Sequence, residues 1–271
     1  MQVAQKLFQF YVKASIHVAI AVLSLVLMTN HMFQKPFDLG MAGFAFFGTI
    51  FGYNFIKFES FFRTKKNISR EMKIIFGLSV LALLVAGYYF FQLESTTQIF
   101  AIIFFGLTFL YAVPLFSNKP NFRNWTGIKI YIVAFCWAGV TILLPMINFG
   151  TEIYQDISIK FCQRFLLVIV LILIFEIIDL KTDDAALQTV PQKIGVKKTK
   201  ILGFLLLIPF YFLEFFKSEI NPTQLIINAV LIVVTSLFIY FAHENRNKYY
   251  TAFWVESIPI FWLAMVYLFR T

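Results

Sequence analysis

The chain has 271 residues, of which 60% are hydrophobic, 19% are aromatic and only 14% are charged, and its net charge is +9. A soluble domain is nearer half apolar and a quarter charged, so this composition excludes an ordinary soluble domain. The apolar residues extend over the whole length, which indicates a protein that crosses a membrane several times. The basic residues lie mainly in short loops between apolar segments, where they predict topology and no nucleic-acid partner.

The apolar segments predict one all-α domain, residues 1–271, in which nine transmembrane helices surround a central cavity. In chain order, we expect the membrane spans at about residues 7–28, 39–58, 74–91, 98–116, 128–148, 161–179, 201–216, 223–243 and 251–269. His17 lies within the first span, where a helix–helix hydrogen bond is the expected role. The seventh span is short and contains Pro209, which predicts a break or kink.

The distribution of basic residues predicts the orientation of the helices. Most of the 23 Lys and Arg residues fall in the inner loops if the N-terminus is cytoplasmic. Since cytoplasmic loops carry an excess of these residues, we expect a cytoplasmic (inner) membrane protein with its N-terminus inside and its C-terminus outside. Two inner loops, at about 59–73 and 180–200, are the longest and most polar. Each follows a span that ends in polar side chains, so we expect the two loops to meet over a common cavity.

Most familiar kinds of chemical site find no support in the sequence. Cys136 and Cys162 lie in or beside apolar segments, with neither disulfide nor zinc spacing. The chain has no glycine-rich phosphate loop and no nucleophile–His–Asp arrangement. The polar region near residue 180 is therefore the first place to look for function.

Three carboxylates mark that region. Glu176, Asp179 and Asp183 are spaced so that a continuous helix would carry them on one face. Carboxylates at the end of a membrane span are costly unless a cation or another partner offsets them. Their oxygens suit Mg²⁺, which usually joins protein carboxylates to substrate phosphates. An apolar interior beneath such a site would fit the tail of a lipid diphosphate.

Basic side chains accompany the carboxylates. The basic residues that could hold phosphate oxygens are Lys181, Lys193, Lys197 and Lys198 in one loop and Arg63, Lys65 and Lys66 in the other. The alternative is that these are ordinary loop charges, because surface ion pairs are common and weak.

Two sequence motifs carry a resemblance to a known family. The run DLKTD from Asp179 to Asp183, followed by TVPQKIG from Thr189 to Gly195, resembles the second aspartate-rich motif of the UbiA superfamily of intramembrane prenyltransferases. The stretch LYAVP, which ends at Pro114, is similar to the Tyr-x-x-Pro of that family. The resemblance implies that two aspartate-rich motifs bind Mg²⁺ and a prenyl diphosphate. A hydrophobic, usually aromatic, acceptor then captures the prenyl cation.

Carried to this chain, the resemblance implies a role for each of the polar residues. The implied catalytic residues are Asp179 and Asp183, which together with Glu176 would be the metal ligands. The implied diphosphate-binding residues are Asn54, Lys57, Arg63, Lys65, Lys66 and Lys181. The implied partners are a prenyl diphosphate, a lipid-like acceptor and membrane lipids.

The first aspartate-rich motif departs from the family pattern N-D-x-x-D-x-x-x-D. The corresponding stretch reads NFIKFESFF, and the phenylalanines Phe55, Phe58 and Phe62 stand where the aspartates are expected. One hypothesis is that the Lys57 ammonium approaches Asp179 or Asp183 and replaces the metal; the alternative is that Lys57 simply extends to the membrane interface. Two functions remain open: a prenyltransferase, or a non-catalytic lipid-binding or scaffold subunit with a protein partner.

Overall fold

A computed structural model describes residues 2–63, 69–112, 128–184 and 187–269. Within these ranges the chain is helical and contains no β-strand, which confirms the predicted all-α class. The α-helices are α1 (Gln2–Lys13), α2 (Ile16–Met32), α3 (Leu39–Arg63), α4 (Arg70–Phe90), α5 (Ser95–Ala112), α6 (Ile128–Ala138), α7 (Leu144–Asn148), α8 (Gln155–Asp179), α9 (Val190–Phe212), α10 (Pro222–Phe241) and α11 (Ile258–Leu268). Two π-helical segments, Gly139–Leu143 and Tyr250–Val255, and a 3₁₀ turn, Leu213–Phe216, adjoin them.

The described helices include seven that are long and apolar enough to cross a membrane, or eight if α1 and α2 form one bent span. The apolar helix Ser95–Leu110 is shorter than these. The prediction of a polytopic membrane protein is therefore confirmed. The described residues support seven or eight spans, where the sequence predicts nine.

Helix α8 is the most buried of the spans and lies at the centre of the packing. The largest apolar cluster joins it to α2, α9, α10, α11 and the Tyr250–Val255 segment. A second cluster joins α2 to α3, α5 and α7. Helix α2 takes part in both clusters, so it connects the two parts of the bundle.

We name the two ends of the bundle after α8: the Gln155 end, where it begins, and the Asp179 end, where it finishes. Lys57, near the end of α3, bonds to the α1–α2 junction. His17, next to that junction, bonds to the Tyr250–Val255 segment, which packs against α8 through the main cluster. The last turns of α3 and α8 therefore lie at the same end, as the sequence predicts for the two polar loops that follow them.

The first and seventh predicted spans differ from the structure. The first is interrupted: α1 and α2 meet at an angle of 57°, and Ser15 between them has a left-handed φ of 61°. The seventh begins earlier, at Val190, where Thr189 and Gln192 form a capping box. Its backbone breaks at Gly195 (φ 80°, ψ 157°), whereas Pro209 lies inside the helix. A φ of this kind is accessible almost only to glycine, which locates the kink there.

Candidate functional site

Glu176 holds two elements of the Asp179 end together. One carboxylate oxygen lies 3.6 Å from the Lys129 ammonium, which enters at the start of α6. The other accepts a 3.0 Å hydrogen bond from the backbone N–H of Val190, the first residue of α9. The first N–H groups of a helix have no partner within the helix, and an anion there is favourable. Both oxygens of Glu176 are thus engaged by protein groups.

Asp179 and Asp183 lie together, but they do not share a helix. Helix α8 ends at Asp179, and the backbone N–H groups of Thr182 and Asp183 both donate to the Asp179 carbonyl at 2.8 Å. The expectation that Asp183 continues the helical stripe is therefore wrong. The turn nevertheless keeps the two side chains close, since Asp183 is one of the charged groups that act on the Asp179 carboxylate. Both residues are half-buried.

Lys129 is a site residue that the sequence reasoning missed. Its ammonium pairs with Glu176 and also acts electrostatically on Asp179. Only 19% of its side chain is exposed, so it is a cation placed inside the acidic end of the bundle. Its position at the inner boundary of the predicted fifth span was the available signal. Contact with α8, which runs next to α6, could not be read from the sequence.

The structure describes only some of the basic side chains of the polar loops that were predicted to bind the diphosphate. Lys181 is exposed, donates a hydrogen bond to Asn245 and lies 3.5 Å from Glu244, in the loop between α10 and α11. Exposed ion pairs of this kind are weak, so Lys181 is available to a stronger anion. Arg63 ends α3, and its side chain lies outside the described part of the structure, as do residues Lys65 and Lys66.

Asn54 and Lys57 contact the break between α1 and α2. Ser15 Oγ donates to the Asn54 amide oxygen at 2.9 Å, and the Asn54 amide nitrogen donates to the Ala14 carbonyl at 3.1 Å. Lys57 Nζ donates to Ser15 Oγ at 2.8 Å and to the Lys13 carbonyl at 3.2 Å. A helix break leaves carbonyls without partners, which is costly in a membrane. These two side chains supply the missing donors.

This geometry gives Asn54 and Lys57 a structural role. Asn54 is fully buried, with both amide atoms bonded to the α1–α2 junction. Among the described residues, the acidic group that acts on Lys57 is Glu256, which follows the Tyr250–Val255 segment. The cation that acts on Asp179 is Lys129. The hypothesis that Lys57 replaces a metal beside Asp179 or Asp183 therefore gains no support.

Aromatic packing occupies the described part of the degenerate first motif. The Phe55 ring lies 5.8 Å from the Phe51 ring and 6.0 Å from that of Phe109 on α5. The side chains of Phe58 and Phe62 lie outside the described part of the structure. Among the side chains that the structure does describe, no three His, Cys, Asp or Glu residues are grouped to hold a metal ion.

Open space lies beside α3 at the Asp179 end. The face of α3 that buries Met41 and Ala45 continues at Gly48 and Gly52. A Cβ atom at either glycine would meet no atom within 4 Å. The next residue along α3 is Tyr53, whose hydroxyl accepts a 2.9 Å hydrogen bond from Trp137 of α6. The tight packing of the Gln155 end thus gives way to room along α3.

Comparisons with known proteins agree with this architecture. The fold matches the structure of a UbiA homologue from Aeropyrum pernix K1, with a TM-score of 0.68 and 13% identity over 94% of this chain and 98% of that chain. It also matches a structure of digeranylgeranylglyceryl phosphate synthase, with a TM-score of 0.58 and 18% identity over 98% of this chain and 97% of that one. No family model and no curated protein sequence matches.

The fold and the polar end together define a polytopic, all-helical integral membrane protein. More specifically, the chain has the fold of the UbiA prenyltransferase superfamily, which confirms at the level of the fold the resemblance predicted from DLKTD and TVPQKIG.

Proposed function

We propose that the protein transfers a prenyl group from a prenyl diphosphate to a hydrophobic acceptor at the Asp179 end. One observation carries the proposal: two neighbouring, half-buried aspartates and Lys129 meet at the end of the central helix of a UbiA fold. Ionisable groups at the edge of a membrane span are costly and usually functional. We place this end at the cytoplasmic face of the inner membrane, as the basic loops predict.

Asp179 and Asp183 fit Mg²⁺, because this ion is commonly held by one or two carboxylates together with substrate phosphates. When bound, it would neutralise charge on the diphosphate. Glu176 fits this role less well, since Lys129 and the Val190 N–H already occupy its oxygens. Its role in the proposal is to hold Lys129 beside Asp179 and to fix the start of α9.

The side chains position the donor and shield the reaction. Lys129 and Lys181 offset the negative charge of the diphosphate, which departs with the electron pair of the broken C–O bond. The prenyl carbon then bonds to the acceptor, and the proton that the acceptor loses passes to the released diphosphate. The prenyl tail would enter the space beside Gly48 and Gly52. The rings of Tyr53 and Trp137, which contact each other, would present aromatic faces to the carbocation and exclude water.

Binding of geranylgeranyl diphosphate to the purified full chain, with and without Mg²⁺, tests the proposal. We expect Mg²⁺ to strengthen binding, and Asp179→Ala or Asp183→Ala to weaken it by about tenfold or more, since each removes a charge-assisted contact. Asp184→Asn is the matched control, because Asp184 is the adjacent, exposed acid. Binding that is insensitive to Mg²⁺ and to both alanine variants rejects the enzyme.

The structure also favours a second candidate, a non-catalytic UbiA-fold protein that binds lipid or serves as a scaffold subunit. The observation behind it is the first motif, where Asn54 supports the α1–α2 junction and Phe55 packs against α5. This candidate predicts a co-purifying protein partner and tail-dependent binding without consumption of the donor. Turnover of the donor by the isolated monomer rejects it.

A further inference from the structure

We propose that Glu256 forms a second polar site inside the bundle, which binds the hydroxyl or amino group of the acceptor. This inference rests on the proposed function, because it assigns the acceptor end of the same reaction. The site lies on the wall formed by α1, α2, α3 and the Tyr250–Val255 segment.

The Glu256 carboxylate lies inside the bundle, and the described residues give it no direct partner. The residue is half-buried, and its carboxylate makes no hydrogen bond or ion pair with the described residues. Neither oxygen belongs to the fully enclosed polar atoms that lack a partner, so space reaches the carboxylate. A carboxylate in this setting is costly unless something offsets it. Part of that offset comes from the Lys57 ammonium, which acts on it electrostatically.

The groups around Glu256 are fixed by bonds to each other. Lys57 is bonded to Ser15 and to the Lys13 carbonyl. His17 Nδ1 lies 2.7 Å from the Tyr11 hydroxyl, and its Nε2 lies 2.9 Å from the Phe253 carbonyl. The His17 and Phe253 rings also stack, with centroids 4.6 Å apart. The wall is therefore organised before any ligand arrives, which is what a binding site requires.

The backbone beside Glu256 supports the same interpretation. Tyr250–Val255 is a π-helical segment, and the Glu256 N–H closes its end with a 3.1 Å bond to the Thr251 carbonyl. Val255 and Ile258 flank Glu256 and belong to the main apolar cluster with α8. The carboxylate thus lies between the core that carries Asp179 and the α1–α2 junction.

The chemistry of this site selects hydrogen-bond donors. A carboxylate accepts strong bonds from hydroxyl or amino groups and has nothing to offer an ether oxygen. The rings of Tyr11, His17 and Phe253, which pack against one another on the same wall, would cover the apolar body of that molecule. The ligand class is therefore a hydrophobic alcohol, phenol or amine.

The test compares two probes, 1-naphthol and 1-methoxynaphthalene, which differ in a single hydrogen-bond donor. Equilibrium dialysis of the full chain in detergent gives the affinity for each. We expect the wild type to prefer 1-naphthol by about tenfold, Glu256→Gln to retain part of that preference, and Glu256→Leu to lose it. Glu152→Gln is the control, since Glu152 is an exposed acid near the Gln155 end. The same preference in wild type and Glu256→Leu overturns the proposal.

A second measurement covers the case in which Glu256→Leu does not fold. In the wild type, dicyclohexylcarbodiimide should modify Glu256 at some pH between about 5 and 8, and 1-naphthol should slow this about fivefold or more, while 1-methoxynaphthalene should not. Peptide mass spectrometry locates the modification. Equal protection by both probes, or no modification at any of these pH values, contradicts the site. Neither assay uses a prenyl diphosphate, so each is independent of the binding test at Asp179 and Asp183.

Discussion

Two Lys–Glu combinations, one at each end of the bundle, use the same residue types in opposite ways. At the Gln155 end, Lys160 Nζ lies 2.6 Å from Glu214, and the two side chains are 3% and 0% exposed. The same Glu214 oxygen accepts hydrogen bonds from Gln163 at 3.0 Å and Asn228 at 3.1 Å. At the Asp179 end, Lys57 is exposed and acts on Glu256 only at a distance.

The difference distinguishes charges that are paired within the protein from a charge that is still able to bind a ligand. Removal of two charges from water is compensated only when the pair is close and its other hydrogen bonds are made, as at Lys160 and Glu214. Lys217, 3.2 Å from the second Glu214 oxygen, completes that cluster. Glu256 has no such set of direct donors among the described residues, so a ligand can still supply one.

Helix α8 carries a further buried cation beyond Lys160. Arg164 is 1% exposed and donates to the Thr141 hydroxyl at 2.9 Å and to the Leu25 carbonyl at 3.2 Å. Its guanidinium also lies 5.3 Å from the Trp262 ring. Thr141 belongs to the Gly139–Leu143 π segment, so Arg164 joins that segment to α2 and α8. The Nε of Arg164 has no hydrogen-bond partner among the described residues, so this buried charge is only partly compensated.

The largest loss of stability is expected when the Lys160–Glu214 pair is broken. Glu214→Leu leaves the Lys160 ammonium buried without its partner, which should lower the free energy of unfolding by about 3–5 kcal/mol. Denaturant unfolding in detergent measures the loss. Glu219→Gln, an exposed acid nearby, should change it by less than about 0.5 kcal/mol, and Lys160→Leu/Glu214→Leu should recover most of the stability. A small loss for Glu214→Leu would mean that the pair is not closed in solution.

The backbone of the Asp179 end gives the next effect. Gly195→Ala should cost about 1–3 kcal/mol, because φ 80° with ψ 157° is strained for any side chain although a Cβ would meet no atom within 4 Å. Gly77→Ala is the matched control: it also faces open space, lies inside α4, and should gain about 0.5–1 kcal/mol. Equal effects at both positions would contradict a special backbone at Gly195. Thermal unfolding of the two variants distinguishes the outcomes.

Asn54→Ala tests whether the first motif is structural. It removes the donor to the Ala14 carbonyl and the acceptor for Ser15, which should cost about 1–3 kcal/mol. In the folded variant, the affinity for geranylgeranyl diphosphate should stay within about twofold, since both amide atoms already serve the junction. A large loss of affinity with unchanged stability would restore the role in diphosphate binding that the sequence implied.

The smallest expected change in stability is at Glu256, in the Lys57–Glu256 combination. Glu256→Gln breaks no direct bond to the described residues, so its stability cost should stay below about 1 kcal/mol. Glu214→Gln in the same unfolding assay is the direct comparison and should cost clearly more. Equal losses would show that Glu256 is closed as tightly as Glu214, and the distinction between the two ends would fail.

Particular residues show how far the sequence could lead. The DLKTD and TVPQKIG motifs correctly predicted the fold. The end of α8 at Asp179 agrees with the end of the predicted span 161–179. The helix break at Ser15 and the cation at Lys129 were not predicted. A serine in the left-handed conformation has no local sequence signal. Lys129 and Glu176 are 47 residues apart in the sequence, so their contact depends on how the helices pack.

The sequence by itself determined the membrane environment, the all-helical class and the acidic end of α8. Hydropathy and residue spacing are local properties, and the bilayer core requires apolar segments whose backbone hydrogen bonds are made within the segment. Only the tertiary structure decided which charged side chains are paired with other groups of the protein. Glu214 and Glu256 look alike in the chain, both beside apolar residues near the end of a span. Their difference depends on whether donors from other helices lie within hydrogen-bonding distance, and packing alone fixes that.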